Sequence, residues 1–133
     1  MRRWPLLATV LMIAMNLVSE RAPGADALDL HTASAVLLLI EDRGCPYCAR
    51  WDRDVRQGYL NSEEGRFAPL VRRFRGSPDV AFVANVIYSP TFVVLANGRE
   101  VGRIVGYQGP DFFWGDLNPL LARAGFKPAP APK

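Results

Sequence analysis

The only two cysteines of this 133-residue chain stand at the ends of Cys45-Pro46-Tyr47-Cys48. The motif follows the apolar run Val36-Leu37-Leu38-Leu39-Ile40, so the sulfurs fall where a strand gives way to a helix. At a helix N-terminus the free N–H groups and the dipole favour a thiolate over a thiol. Two thiols one turn apart can close a short disulfide, and such a pair can exchange electrons with another thiol pair. Two other uses compete less well. A structural zinc site needs a full tetrahedral set of N or S ligands, and beside the cysteines the chain offers one histidine, His31. A purely structural cross-link would close so small a loop that it removes little unfolded-state entropy. Neither metal nor bound cofactor is expected, and the working group is a redox-active Cys45–Cys48 disulfide.

Compartment comes from the N-terminus. Met1-Arg2-Arg3 is positive, Trp4 to Val18 is almost wholly apolar, and Ala25-Asp26-Ala27 has the small-x-small pattern of a processing site. The apolar stretch is short against the roughly twenty residues of a membrane span. Residues 1–27 therefore read as a cleavable export signal, favoured over an N-terminal membrane anchor. Residues 28–125 remain as one domain, and 126–133 form a Pro/Ala tail expected to be extended and mobile. Lys and Arg total 16 against 13 Asp and Glu. The arginines are scattered, with no basic stripe carrying stacking aromatics, so nucleic acid is not an expected partner. Half the residues are hydrophobic, and the core must come from packing rather than from cross-links.

The elements that hold the pair can be read in order. Val36 to Ile40 suits a strand buried on both faces. Glu41 to Gly44 turns the chain into a helix from about Cys45 to Gln57, ended by Gly58, with Trp51 packed inward and Asp52–Arg56 paired on the surface. Asn61 with Glu64 fits a capping box opening a short helical turn. Leu70 to Phe74 reads as a second strand, and residues 79–85 as a short helix, although Val80, Phe82, Val83 and Val86 also support a strand. Phe92 to Ala96, Asn97-Gly98 and Arg99 to Gly106 form a hairpin, with a bulge or close backbone approach expected at Gly102. A last helix opens at Pro110, is kinked or split by Pro119, and ends at Gly125. Phe112-Phe113-Trp114 on it reads as core packing rather than partner recognition.

This order, with the Cys pair at the first strand–helix junction, resembles the thioredoxin superfamily. The resemblance is carried by Cys45-Pro46-Tyr47-Cys48, by Ser89-Pro90-Thr91-Phe92, and by the Asn97-Gly98 hairpin leading to Gly106. It implies an α/β fold with a central mixed sheet of about four strands flanked by helices. It also implies a cis bond before Pro90, with Ser89, Pro90 and Thr91 binding substrate beside the disulfide. A narrower likeness runs through Glu41, Cys45 to Asp52, Gly65 to Leu70, Gly102 to Gly109 and Asp111 to Trp114. These segments resemble the small periplasmic thioredoxin-like proteins of bacterial sulfur-oxidation operons, the SoxS type. That likeness implies a periplasmic reductase of disulfide or related sulfur bonds; a monomer is expected. It would act on protein thiols such as those of the SoxYZ sulfur carrier and be fed by a membrane electron donor. A redox-sensing binding module without turnover is the alternative. Cys45 is expected to attack and Cys48 to resolve, with Pro46 and Tyr47 shaping the loop. Many thioredoxins carry a buried Asp on the first central strand, but Leu39 occupies that place here. Glu41 is the nearest carboxylate and the candidate for proton transfer.

Overall fold

The computed structural model describes residues 27–132, so the expected signal segment lies, save for its last residue, outside the described residues. Among these residues no helix is long and apolar enough to cross a membrane. Strand β1 (Val36–Glu41) leads into α1 (Pro46–Trp51), a π-helical turn (Asp52–Arg56), α2 (Gln57–Asn61) and α3 (Glu63–Phe67). Then come β2 (Leu70–Phe74), β3 (Thr91–Ala96), β4 (Arg99–Val105) and α4 (Pro110–Arg123). The sheet order is β2-β1-β3-β4, with β1 parallel to β2 and antiparallel to β3, and β3 antiparallel to β4. A four-stranded mixed sheet flanked by helices is the architecture the sequence implied.

Strand β1 is buried on both faces because each face has its own cover. Leu37 and Leu39 join Trp51, Val55, Tyr59, Phe92, Phe113, Leu117 and Leu121 under the helices. Val36, Leu38 and Ile40 join Leu30, Val71, Val80, Val83, Val93 and Leu95 on the opposite face. Among the described residues that second layer holds no long helix. Residues 79–85, expected as a short helix or a strand, make one 3-10 turn at Pro78–Val80 and then run irregularly, with Asn85 at φ 58°. Val80 and Val83 still reach the core from this irregular path, so the segment's apolar residues cover the sheet without a regular element.

Other local expectations moved for physical reasons. The helical run does not stop at Gly58; it passes through the π turn to Asn61. Ser62, not Asn61, caps α3, accepting the Gly65 N–H at 3.0 Å. Pro119 neither ends nor divides α4, which runs unbroken from Pro110 to Arg123. Pro119 lies on the solvent side while Phe113, Leu117, Leu120 and Leu121 fasten the helix to the sheet, so its missing N–H leaves a carbonyl that water can reach. A register shift beside Val94 and Leu95 and the close approach of α4 both meet at Gly102, where a Cβ would lie 2.5 Å from Leu120 Cδ2. At the hairpin, Asn97 and Gly98 take φ 50° and 76°. The turn before β1 crosses so close there that a Gly98 Cβ would lie 2.4 Å from the His31 carbonyl oxygen. His31 is exposed, its ring 4.6 Å from that of Phe82. At the other end Phe126 packs on Phe67 and the Ala129 N–H reaches Glu63, so the chain after Gly125 begins by lying on the domain.

Candidate active site

The site is built at the end of β1. Cys45 is the N-cap of α1: its Sγ accepts the Cys48 N–H at 3.2 Å, and Pro46 fills the first helical position, where a missing N–H costs nothing. Cys45 and Cys48 are joined in a disulfide with their Cα atoms 5.3 Å apart. Cys48 is 2% exposed, whereas Cys45 is only partly covered and Tyr47 beside it is 52% exposed. One sulfur thus faces outward and the other is walled in.

The wall comes from the loop before β3. The Ser89–Pro90 peptide is cis. Ser89 Oγ lies 3.5 Å from Cys48 Sγ and accepts the Asp42 N–H at 2.8 Å, which ties this loop to the turn that delivers Cys45. The Thr91 hydroxyl donates to the Tyr88 carbonyl at 2.7 Å; Thr91 itself is 1% exposed, so its side chain holds the loop from beneath. The Pro90 carbonyl accepts the Gly106 N–H at 2.7 Å, which brings the β4–α4 connection to the same edge. Ile87 and Tyr88 stand exposed just ahead of Ser89.

Beneath the pair lies a charged brace that sequence reasoning missed. Arg72, on the strand parallel to β1, donates to both Glu41 oxygens at 2.9 and 2.8 Å and to both Asp52 oxygens at 2.6 and 3.1 Å. The hydrogen bond to Glu41 first, and that to Asp52 after it, push the Arg72 guanidinium further up, so it stays charged at any working pH. Asp52 therefore pairs across to β2, not with Arg56 as expected. The only signal available was the charged Arg72-Arg73 step inside an otherwise apolar strand. Glu41, Asp42, Asp52, Arg43 and Phe74 line an open cleft of about 500 Å³ that reaches both cysteines. Arg43 stacks 4.2 Å from the Phe74 ring centre, and Arg75 pairs with Asp42.

The π turn shapes the other flank. Its extra backbone residue lets Asp52 face β2 while Asp54 accepts the Tyr107 hydroxyl at 3.0 Å. Trp51, expected in the core, is fully buried against Phe92 and Phe113. The aromatic triplet divides: Phe113 is buried, Trp114 packs partly against Tyr59, and Phe112 is 64% exposed.

A cysteine pair capping a helix beside a cis-proline loop, on this sheet, defines a thioredoxin-fold thiol-disulfide oxidoreductase. Among solved structures the chain is similar to the reduced periplasmic thioredoxin SoxS from Paracoccus pantotrophus, at 41% identity over 68% of this chain and 98% of that one, with a TM-score of 0.63. The chain belongs to the SoxS thioredoxin family. It also resembles a chain from a structure of thiol resolution in yeast mitochondrial 1-Cys peroxiredoxin. That likeness, at 18% identity over 67% of this chain and 82% of that one, with a TM-score of 0.52, speaks for the fold alone. No protein-family model and no curated protein matches the sequence.

Proposed function

We propose that this protein is a periplasmic disulfide reductase that acts on a partner protein's sulfur, with the SoxYZ sulfur carrier as its partner. The observation that carries the reading is the asymmetry of the pair, with Cys45 partly exposed and Cys48 buried at 2% exposure. The Cys45 thiolate attacks a sulfur of the partner's disulfide; the partner's other sulfur leaves with the electron pair and takes a proton. Cys48, deprotonated, then attacks Cys45 Sγ, closing Cys45–Cys48 and releasing the second partner thiol. Two electrons pass from the cysteine pair to the partner, and a membrane electron donor restores them.

Ser89 and Pro90 form the edge on which substrate lies, with Thr91 holding it from below. Pro46 and Tyr47 shape the loop. Glu41 takes the Cys48 proton through a water: Arg72 occupies one lone pair on each carboxylate oxygen and leaves the others free. The disulfide is the sole redox group, and no cofactor is needed. Export by cleavage after residue 27, a monomeric state and a mobile end to the 126–133 tail complete the proposal.

Trapping tests it. A Cys48→Ser variant expressed in the periplasm of a sulfur-oxidising host should hold a SoxYZ subunit covalently through Cys45, releasable by dithiothreitol. Recovery of other proteins without that carrier would overturn the partner. Stoichiometric trapping with no turnover of insulin by the parent protein would mark a sensor instead of a reductase.

A further inference from the structure

Each sulfur of the pair has its own hydrogen-bond donor, and the two donors differ in kind. Cys45 Sγ receives a backbone N–H, that of Cys48. Among the described residues, the side chain hydrogen-bonded to Cys48 Sγ is Ser89, at 3.5 Å. In the disulfide Cys48 has no S–H to give, so the hydroxyl is the donor. Its oxygen already accepts the Asp42 N–H, so a relay runs from Asp42 N–H through the Ser89 hydroxyl to Cys48 sulfur, each bond polarising the next.

Cys48 needs such a donor. At 2% exposure its thiolate has lost almost all contact with water, and burial by itself disfavours the charged form. The charged groups that face the pair offer little relief. Glu41 at the end of β1 and Asp52 after α1 share Arg72 from β2; Asp42 in the turn is paired with Arg75; and Arg43 lies over Phe74. The loop before β3 presents Ser89.

We propose that Ser89 is a catalytic residue whose hydroxyl stabilises the Cys48 thiolate as it attacks Cys45 and when the disulfide is reopened. This rests on the exchange reading above and adds a residue to it. In the resolving step Cys48 loses its proton, its sulfur bonds to Cys45 Sγ, and the partner's sulfur departs with the electron pair. The serine gives up no proton; its O–H only holds charge on sulfur.

The test separates the serine from any natural partner. In a Cys45→Ser background, the thiolate absorbance of Cys48 is followed against pH with and without Ser89→Ala. Removing the hydroxyl should raise the apparent pKa by about one unit, equivalent to about tenfold less thiolate at a given pH. In the two-cysteine protein, a mixed disulfide formed at Cys45 with a chromogenic aromatic thiol should release that thiol about tenfold more slowly after Ser89→Ala. Ser89→Thr should restore both. An unchanged Cys48 titration would overturn the proposal. So would an equal shift of Cys45, measured in a Cys48→Ser background, because it would mark a displaced loop. Success here with no SoxYZ trapped would remove the partner and leave the serine's role standing.

Discussion

Cys45 and Cys48 are chemically identical side chains made unequal by their surroundings. Cys45 sits on the helix N-terminus with a backbone N–H directed at it and a route to solvent, whereas Cys48 lies one turn inside. A thiolate is stabilised in the first setting and disfavoured by burial in the second. Alkylation of the reduced protein at mildly acidic pH should therefore mark Cys45 first; preferential labelling of Cys48 would reverse the roles. Glu41 makes a second prediction. Glu41→Gln should slow resolution of the mixed disulfide while leaving the first attack by Cys45 nearly unchanged. Stopped-flow traces with both steps unaltered would confine Glu41 to its ion pair with Arg72.

Between elements, two polar ties fix the helix that carries the pair. Arg72 joins the far end of β1 to the start of the π turn through Glu41 and Asp52. Replacing it by Met would leave two carboxylates without their shared cation. The network is about one-third open to solvent at Arg72 and Asp52, so screening limits its worth. Arg72→Met should cost about 1 kcal/mol in urea denaturation, with the difference narrowing at high salt. On the opposite flank Tyr107 reaches Asp54 and anchors the β4–α4 connection beside Pro90. Tyr107→Phe should lower stability by about 1 kcal/mol and speed amide exchange at Gly106. Wild-type exchange there would sink the idea that this hydroxyl holds the loop. The π turn that makes both ties possible left no mark in the sequence, because Trp51, Val55 and Tyr59 at i, i+4 and i+8 fit the buried face of an ordinary α-helix.

Over the whole molecule, two tyrosines couple folding to alkaline pH. Burial first, and the hydrogen bond to Asp54 next, push Tyr107 up to about 12. Burial, with the charge of Glu64 added, raises Tyr59 further still. In the unfolded chain both return to about 10. Above that value the unfolded state releases protons that the folded state retains, so stability falls as pH rises from about 10. Urea midpoints measured from pH 8 upward should be flat at first and then decline, and Tyr107→Phe should flatten part of the decline between about 10 and 12. A parent curve level through this range would contradict the burial assigned to both rings.

The sequence by itself determined those features whose cause is local. The Cys pair at a strand–helix junction, the buried β1, the Asn97-Gly98 hairpin and the opening of α4 at Pro110 all depend on residues within a few positions of one another. Motif spacing, hydrophobic run length and turn chemistry express such causes directly. The cis bond at Pro90 was legible through family likeness and is present. Tertiary structure alone decided the rest. Arg72 meets Glu41 and Asp52 only because β2 lies parallel to β1, and Ser89 meets Cys48 only because β3 lies on the other side of that strand. Residues 79–85, ambiguous between helix and strand, form neither beyond one 3-10 turn, yet Val80 and Val83 are buried against the sheet. Pro119 stayed inside α4 because the face opposite it is held by packing. Each depends on partners distant in sequence, and one-dimensional periodicity carries no term for them.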